Sequence, residues 1–258
     1  MKPAVLLTND DGITSAGLWA AYKALSPIAE VSVVAPSSQQ SAVGRSISIF
    51  EPIRASRVKM HGVEVVSVGG KPTDAVIIGL YGLGLAPDLV VSGINIGENL
   101  SFESVMTSGT VGAALEASNQ GIRSLAFSLQ VEDQGDKFDD PRFSGHSFDD
   151  AMKVVRNVTE KVLARGYPKD VDVLNVNIPS RSTGGYEITR LAEKLFHTGV
   201  EERSDPRGRP YYWIDGPLYA DAGEGTDVHA VRKGNVSITP ITLDCTAYRG
   251  MESLTNYF

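Results

Sequence analysis

Cysteine is nearly absent: Cys245 is the single one in 258 residues. No intramolecular disulfide and no thiolate metal cluster can form, which is the cysteine usage of an intracellular chain. Long apolar runs are missing too. Nothing approaches the ~20 consecutive apolar residues of a membrane span. The opening MKPAVLL has neither the apolar stretch nor the cleavage site of a signal peptide. These absences predict a cytoplasmic protein with no membrane partner. Positive charge is in deficit, with 24 Lys and Arg against 31 Asp and Glu, a net charge of −7. A general nucleic-acid surface wants a basic stripe, so no nucleic-acid polymer is expected as a partner. The same deficit repels phosphorylated molecules at long range, so a phosphate site would have to supply its own local positive potential. Histidine is sparse. His61, His146, His197 and His229 are scattered along the chain and read as structural or surface groups.

What is present reads as an α/β protein. The apolar run AVLL (4–7), a helical spacing of Leu18, Ala21, Tyr22 and Leu25, and VSVVAP (31–36) make a βαβ opening. That opening favours a parallel sheet with right-handed crossovers. SSQQSAVGRS (37–46) is a polar loop. SISIF (46–50) and VEVVSV (63–68) suggest extra strands, paired as a hairpin. KPTDAVIIGLYGL (71–83) reads as a helix with Pro72 in its first turn. DLVVSGINIGENL (88–100) is a strand running into a polar loop, and SGTVGAALEASNQG (108–121) a helix stopped by Gly121. SLAFSL (124–129) and VDVLNVNIP (171–179) are strands. Phe148, Ala151, Val155, Val158 and Val162 mark an amphipathic helix between them, after a mobile loop over 132–146. Beyond about residue 184 only short strand-like pieces remain (YEITRL, YYWI, VSITPI). The division expected is a core over 1–184 and a β-rich extension over 185–258 used for oligomer contacts, within one structural domain overall. Asp205, Asp221, Glu224 and Asp227 of that extension read as a solvated acidic face.

In an open α/β sheet, ligands bind beyond the carboxyl ends of the strands. Asn9-Asp10-Asp11-Gly12, the 37–46 loop and Ser92-Gly93-Ile94-Asn95 all follow strands, and Ser108-Gly109-Thr110 opens a helix. Asp10 and Asp11 are hard oxygen ligands; Ser41 and Asn95 add a hydroxyl and an amide oxygen. With no His or Cys in these loops, the set suits Mg²⁺, Mn²⁺ or Ca²⁺ and not zinc or copper. A divalent cation would also offset the repulsion between adjacent carboxylates. The helix start at 108–110 offers N–H groups and hydroxyls to an anion. Taken singly, each segment has a plainer reading: an Asp-Gly turn, a helix N-cap at Ser108, a turn asparagine at Asn95. Their co-occurrence at strand ends favours a site for a phosphate monoester.

LLTNDDGITSAGL, VVAPSSQQSAVGRSISI, VVSGINIGENL and SGTVGAALEA resemble, in order and spacing, the motif stretches of the SurE family of stationary-phase survival proteins. DPRGRPYYWI, EGTDVHAV and GNVSITP resemble its C-terminal half. The resemblance implies a Rossmann-like three-layer core with a mostly parallel sheet and a C-terminal extension. It implies a metal-dependent phosphoric monoester hydrolase acting on nucleoside 5′- or 3′-monophosphates, in some members on short polyphosphate. It also implies one divalent ion per subunit and a homodimer or homotetramer with exchanged C-terminal segments. The ion's ligands would be Asp10, Asp11, Ser41 and Asn95. Asn9, Asn99, Ser108, Gly109 and Thr110 match positions lining the phosphate pocket. One departure stands out: family members often carry Gly-Pro-Asn where this chain has Gly97-Glu98-Asn99, which puts an extra carboxylate near the site.

The mechanism this implies is direct attack by water, with Asp10 or Asp11 accepting its proton; which of the two is left open. Ser41 has no adjacent His or Lys to activate it as a nucleophile. Two rivals are weighed. An aspartyl phosphatase of the haloacid-dehalogenase type needs an aspartate where this chain has Asn9. A nucleotide- or phosphate-sensing binding protein would bind without releasing phosphate, and does not require paired aspartates.

Overall fold

The computed structural model describes residues 2–131, 147–218 and 222–258; the 132–146 loop reading, His146 and Asp221 lie outside them. In chain order the elements are β1 (Ala4–Thr8), α1 (Ala16–Leu25), β2 (Glu30–Pro36), β3 (Ala55–Met60), β4 (Val63–Val68) and α2 (Pro72–Ile77), which runs on as a π-helical turn over Ile78–Gly82. Then come β5 (Leu89–Ile96), α3 (Ser101–Thr107), α4 (Gly109–Asn119), β6 (Ser124–Leu129), α5 (Asp149–Arg165) and β7 (Val173–Ile178). The last part holds β8 (Tyr186–Ile188), β9 (Gly199–Ser204), β10 (Pro210–Asp215), α6 (Asp227–Arg232), β11 (Val236–Ile241) and α7 (Tyr248–Thr255). Among the described residues no helix is long and apolar enough to cross a membrane.

Nine strands form one sheet in the order β3-β4-β2-β1-β5-β6-β7-β11-β8. The run β4-β2-β1-β5-β6-β7 is parallel. Antiparallel pairs occur at β3–β4 and β7–β11. Alternation along the central strand explains the layers. Val5 and Leu7 pack with Leu18, Leu25, Val155 and Val158 of α1 and α5. Leu6, facing the other way, packs with Val76, Ala113 and Ala117 of α2 and α4. Full burial of each Val or Leu contributes about 1.5–3 kcal/mol, so two such faces make a three-layer sandwich stable. β2 leaves β1 on one side and β5 pairs on the other. The crevice at their carboxyl ends is therefore a topological switch point.

Three expectations need correcting. SISIF is not a strand; the partner of VEVVSV is Ala55–Met60. His61 and Gly62 both take positive φ (49° and 83°), the backbone of a tight two-residue hairpin turn, so the pairing is local and leaves Phe50 in solvent. Secondly, α3 went unpredicted, because SFESVMT buries only Ser101 and Val105 and carries no clear apolar period. Thirdly, Asp227 is not on a solvated face: it is fully buried. The main sheet also continues past residue 184, since β11 joins β7 and β8 joins β11. Outside that sheet, β9 and β10 pair with each other as an antiparallel hairpin with Val200, Tyr212, Trp213 and Ile214 exposed.

Candidate functional site

At the end of β1 the Asn9 amide closes the turn on Gly12, donating to its carbonyl and accepting from its N–H, both at 3.2 Å. Gly12 has φ +93°, and a Cβ there would lie 3.0 Å from the Ser38 backbone. This turn turns Asp10 and Asp11 toward the switch point. The Asp10 carbonyl accepts from the Gln40 N–H at 2.7 Å, which pins the 37–46 loop across the same crevice. At the last residue of β5, the Ile96 N–H donates to Asp11 Oδ2 at 3.3 Å.

One cavity of about 500 Å³ collects the predicted segments. Asp10, Asp11, Ser41, Asn95, Asn99 and Ser108 all line it, joined by Glu98 from the β5 loop and Phe196 from the C-terminal part. Asp10 and Asp11 are each only 5% exposed. Burial raises the Asp10 carboxyl above its ordinary range. Burial, and then the neighbouring Asp10 charge, push Asp11 up to about 8. Asn95 commits its Nδ2 to the Gly97 carbonyl at 2.6 Å, which leaves its oxygen as the remaining polar atom. Ser41 is exposed on the rim.

Asn9, Gly109 and Thr110 are not among the lining residues. They sit behind it. Thr110 Oγ1 donates to Asp10 Oδ1, and the backbone N–H groups of Gly109 and Thr110 also favour the ionised Asp10. In this structure the group at the start of α4 is therefore the Asp10 carboxyl itself. That answers in part what offsets two adjacent carboxylates. Gly109 is required for the approach, because a Cβ there would sit 2.8 Å from Asp10 Cβ. Ser108 accepts from the Val111 N–H at 3.1 Å, so it is an N-cap and a cavity residue at once.

Sequence reasoning missed the layer beneath. The Asn99 N–H donates to Asn177 Oδ1 at 2.8 Å. Its carbonyl accepts from the side-chain amides of Asn175 (2.9 Å) and Asn177 (3.1 Å). The Asn99 amide nitrogen donates to Ser128 Oγ at 2.8 Å. Asn175 and Asn177 are fully buried in β7. Asparagine alternating inside an otherwise apolar strand, LNVN, was the available signal, since a buried amide must find a partner. Asp227 was missed as well. Its carboxylate accepts from the N–H of Ser101 (2.7 Å), Ala192 (2.8 Å) and Val228 (2.8 Å).

The donor set fits a hard cation. Two buried carboxylates, one uncommitted amide oxygen and a rim hydroxyl are all oxygen. Among the described residues no group of three or more His, Cys, Asp or Glu gathers as a metal cluster, so any ion here would need the Asn95 and Ser41 oxygens beside the two carboxylates.

A family model described as survival protein SurE matches residues 5–198. The 5′-nucleotidase SurE of Methanoculleus marisnigri is 76% identical over 258 residues, covering 100% of this chain and 98% of that protein. That of Methanoregula boonei is 74% identical, covering 100% and 99%. The crystal structure of the SurE protein from Aquifex aeolicus superposes with a TM-score of 0.83 at 38% identity and covers 99% of both chains.

Proposed function

The chain belongs to the survival protein SurE family, and from that premise we propose that it is a divalent-metal-dependent 5′-nucleotidase, releasing phosphate from nucleoside 5′-monophosphates. The observation that carries this reading is the buried Asp10–Asp11 pair at the β1/β5 switch point, facing Asn95 and Ser41 across one cavity.

Asp10, Asp11, Asn95 and Ser41 would hold one Mg²⁺ or Mn²⁺. When bound, that ion supplies positive charge against the phosphoryl oxygens, which this acidic chain otherwise lacks. The remaining chemistry belongs to the protein. Ser108 and Asn99 present a hydroxyl and an amide to the substrate's oxygens. Asn9, Gly109 and Thr110 fix Asp10 in place, so that its orientation costs nothing during reaction. Water attacks phosphorus as the bond to the ester oxygen breaks; the water's proton passes to the Asp10–Asp11 pair, and the ester oxygen takes up a proton and leaves as the nucleoside hydroxyl. Ser41 stays a ligand and not a nucleophile, with no His or Lys among the described lining residues to deprotonate it. Activity on 3′-monophosphates and a dimer or tetramer exchanging C-terminal segments complete the proposal. The exposed aromatic face of β10 supports such contacts.

Phosphate release from AMP with Mg²⁺ or Mn²⁺ tests the proposal. Release is expected to stop in EDTA and return with added metal. Full activity in chelator, or AMP binding without release, would overturn it.

A further inference from the structure

One side of α4 touches both Asp10 and the loop that carries Ser41. Gly109, Gly112 and Glu116 recur at i, i+3 and i+7, which places them on one face of the helix. At Gly109 a Cβ would press on Asp10 and on the Gln40 carbonyl. At Gly112 it would run into the Gly44 carbonyl, so the 37–46 loop lies with its backbone directly on α4. The Gly44 N–H donates to the Thr107 carbonyl at 2.8 Å. The next residue, Arg45, donates from Nε to Glu116 Oε2 at 2.9 Å. Glu116 is 3% exposed, and the mechanism above gives it no task. Its other oxygen accepts from Gln120 Nε2 at 2.6 Å, and Gln120 Oε1 accepts in turn from the Tyr81 hydroxyl at 2.6 Å. Ser48 is held separately by Asp74, so Glu116 grips the segment closer to Ser41 along the chain.

We infer that Glu116 is a positioning residue: through Arg45 it holds the 37–46 loop on α4 and so keeps Ser41 in the ligand set with Asp10, Asp11 and Asn95. This rests on the metal-dependent reading and adds to it the group that seats the loop. Each oxygen of Glu116 already meets a donor, so an amide in its place must turn its NH₂ toward Arg45 or Gln120. Glu116→Gln therefore breaks the link at nearly constant volume.

The test uses the whole chain and two readouts. Hydrogen exchange reads the loop without metal. The Gln40 and Gly44 amides, bonded to the Asp10 and Thr107 carbonyls, should exchange about tenfold faster in Glu116→Gln and in Arg45→Ala, while the amides of β5 keep wild-type protection. Calorimetry with Mn²⁺ reads the ligand set. Both variants should bind the ion about tenfold more weakly, the scale of one charge-assisted hydrogen bond, and adding either to Ser41→Ala should weaken binding no further. Arg45→Ala acts from the more exposed side of the pair and serves where Glu116→Gln fails to fold. Wild-type exchange at Gln40 and Gly44, unchanged Mn²⁺ affinity, or a weakening that adds in full to that of Ser41→Ala overturns the inference. If wild type binds no Mn²⁺, the metal reading fails, while exchange still decides whether Glu116 holds the loop.

Discussion

Asp10 and Asp11 are buried and adjacent, so burial and mutual repulsion both oppose their ionisation. Asp10→Asn removes a ligand charge without changing shape, and its new amide still meets the Thr110 hydroxyl. It is expected to lower kcat with AMP at least 100-fold, a few kcal/mol of transition-state stabilisation, while circular dichroism stays that of the wild type. Wild-type turnover in this variant would contradict the metal scheme. A pH dependence follows from the same pair. Folded Asp11 sits near 8, well above the ordinary carboxyl range, so the folded chain binds more protons than the unfolded one between about pH 4 and pH 8. Without metal, stability is therefore greatest at the acid end of that window and is lost as pH rises through it. The melting temperature in EDTA should fall from pH 5 to pH 8, and Mg²⁺ or Asp11→Asn should flatten the fall. A metal-free profile no steeper than that of Asp11→Asn would count against the burial argument.

At the scale of elements, two short stretches do double duty. Ser108 ends the bend after α3, caps α4 and faces the cavity. Ser108→Ala should cost about 1 kcal/mol in urea unfolding, the usual worth of an N-cap, and lower activity beyond what that loss explains. Ser108→Asp, a competent cap with a charge in the cavity, should recover stability and not activity. The second stretch is β7. Its Asn177 forms a two-bond pair with the Asn99 peptide, doing from a side chain what a neighbouring strand does from its backbone. Asn177→Leu leaves the Asn99 N–H buried without that acceptor, and is expected to destabilise by about 1–3 kcal/mol. Urea midpoints check this, and a neutral result would mean the 97–101 loop finds other partners. These devices also mark where sequence patterns stop being informative. The strands β1, β2, β5, β6 and β7 were legible because each is an apolar run with polar ends. β3 was not, because ASRVKM lies at the sheet edge, half exposed and charged, and lacks a buried-strand pattern.

Across the whole molecule, the C-terminal part closes the site by contact with the core. Asp227 ties the N–H groups of Ser101 and Ala192 together. Leu100 packs with Ala192, Leu195, Val228 and Val231, and Phe196 runs from that cluster to the cavity wall. Asp227→Ala would strand the buried N–H groups of Ser101, Ala192 and Val228, and is expected to cost about 2–4 kcal/mol. It should lower activity even where the protein remains folded, because the loop bearing Asn99 loses its anchor. Unfolding midpoints and kcat on the same sample separate the two effects; activity unchanged at lowered stability would assign Asp227 to folding alone.

The sequence by itself determined which chemistry was on offer: paired aspartates at a strand end, an all-oxygen donor set, a capped glycine-containing helix start, and a βαβ order that directs strand ends to one edge. Those are local properties of residue type and spacing. Tertiary structure alone decided that β1 and β5, more than 80 residues apart in the chain, lie side by side, and that the start of α4 is aimed at Asp10. It also decided that Asn175, Asn177 and Asp227 are buried braces. Such pairings depend on which faces bury against which, and a buried polar residue reveals its purpose only through a partner distant in the chain.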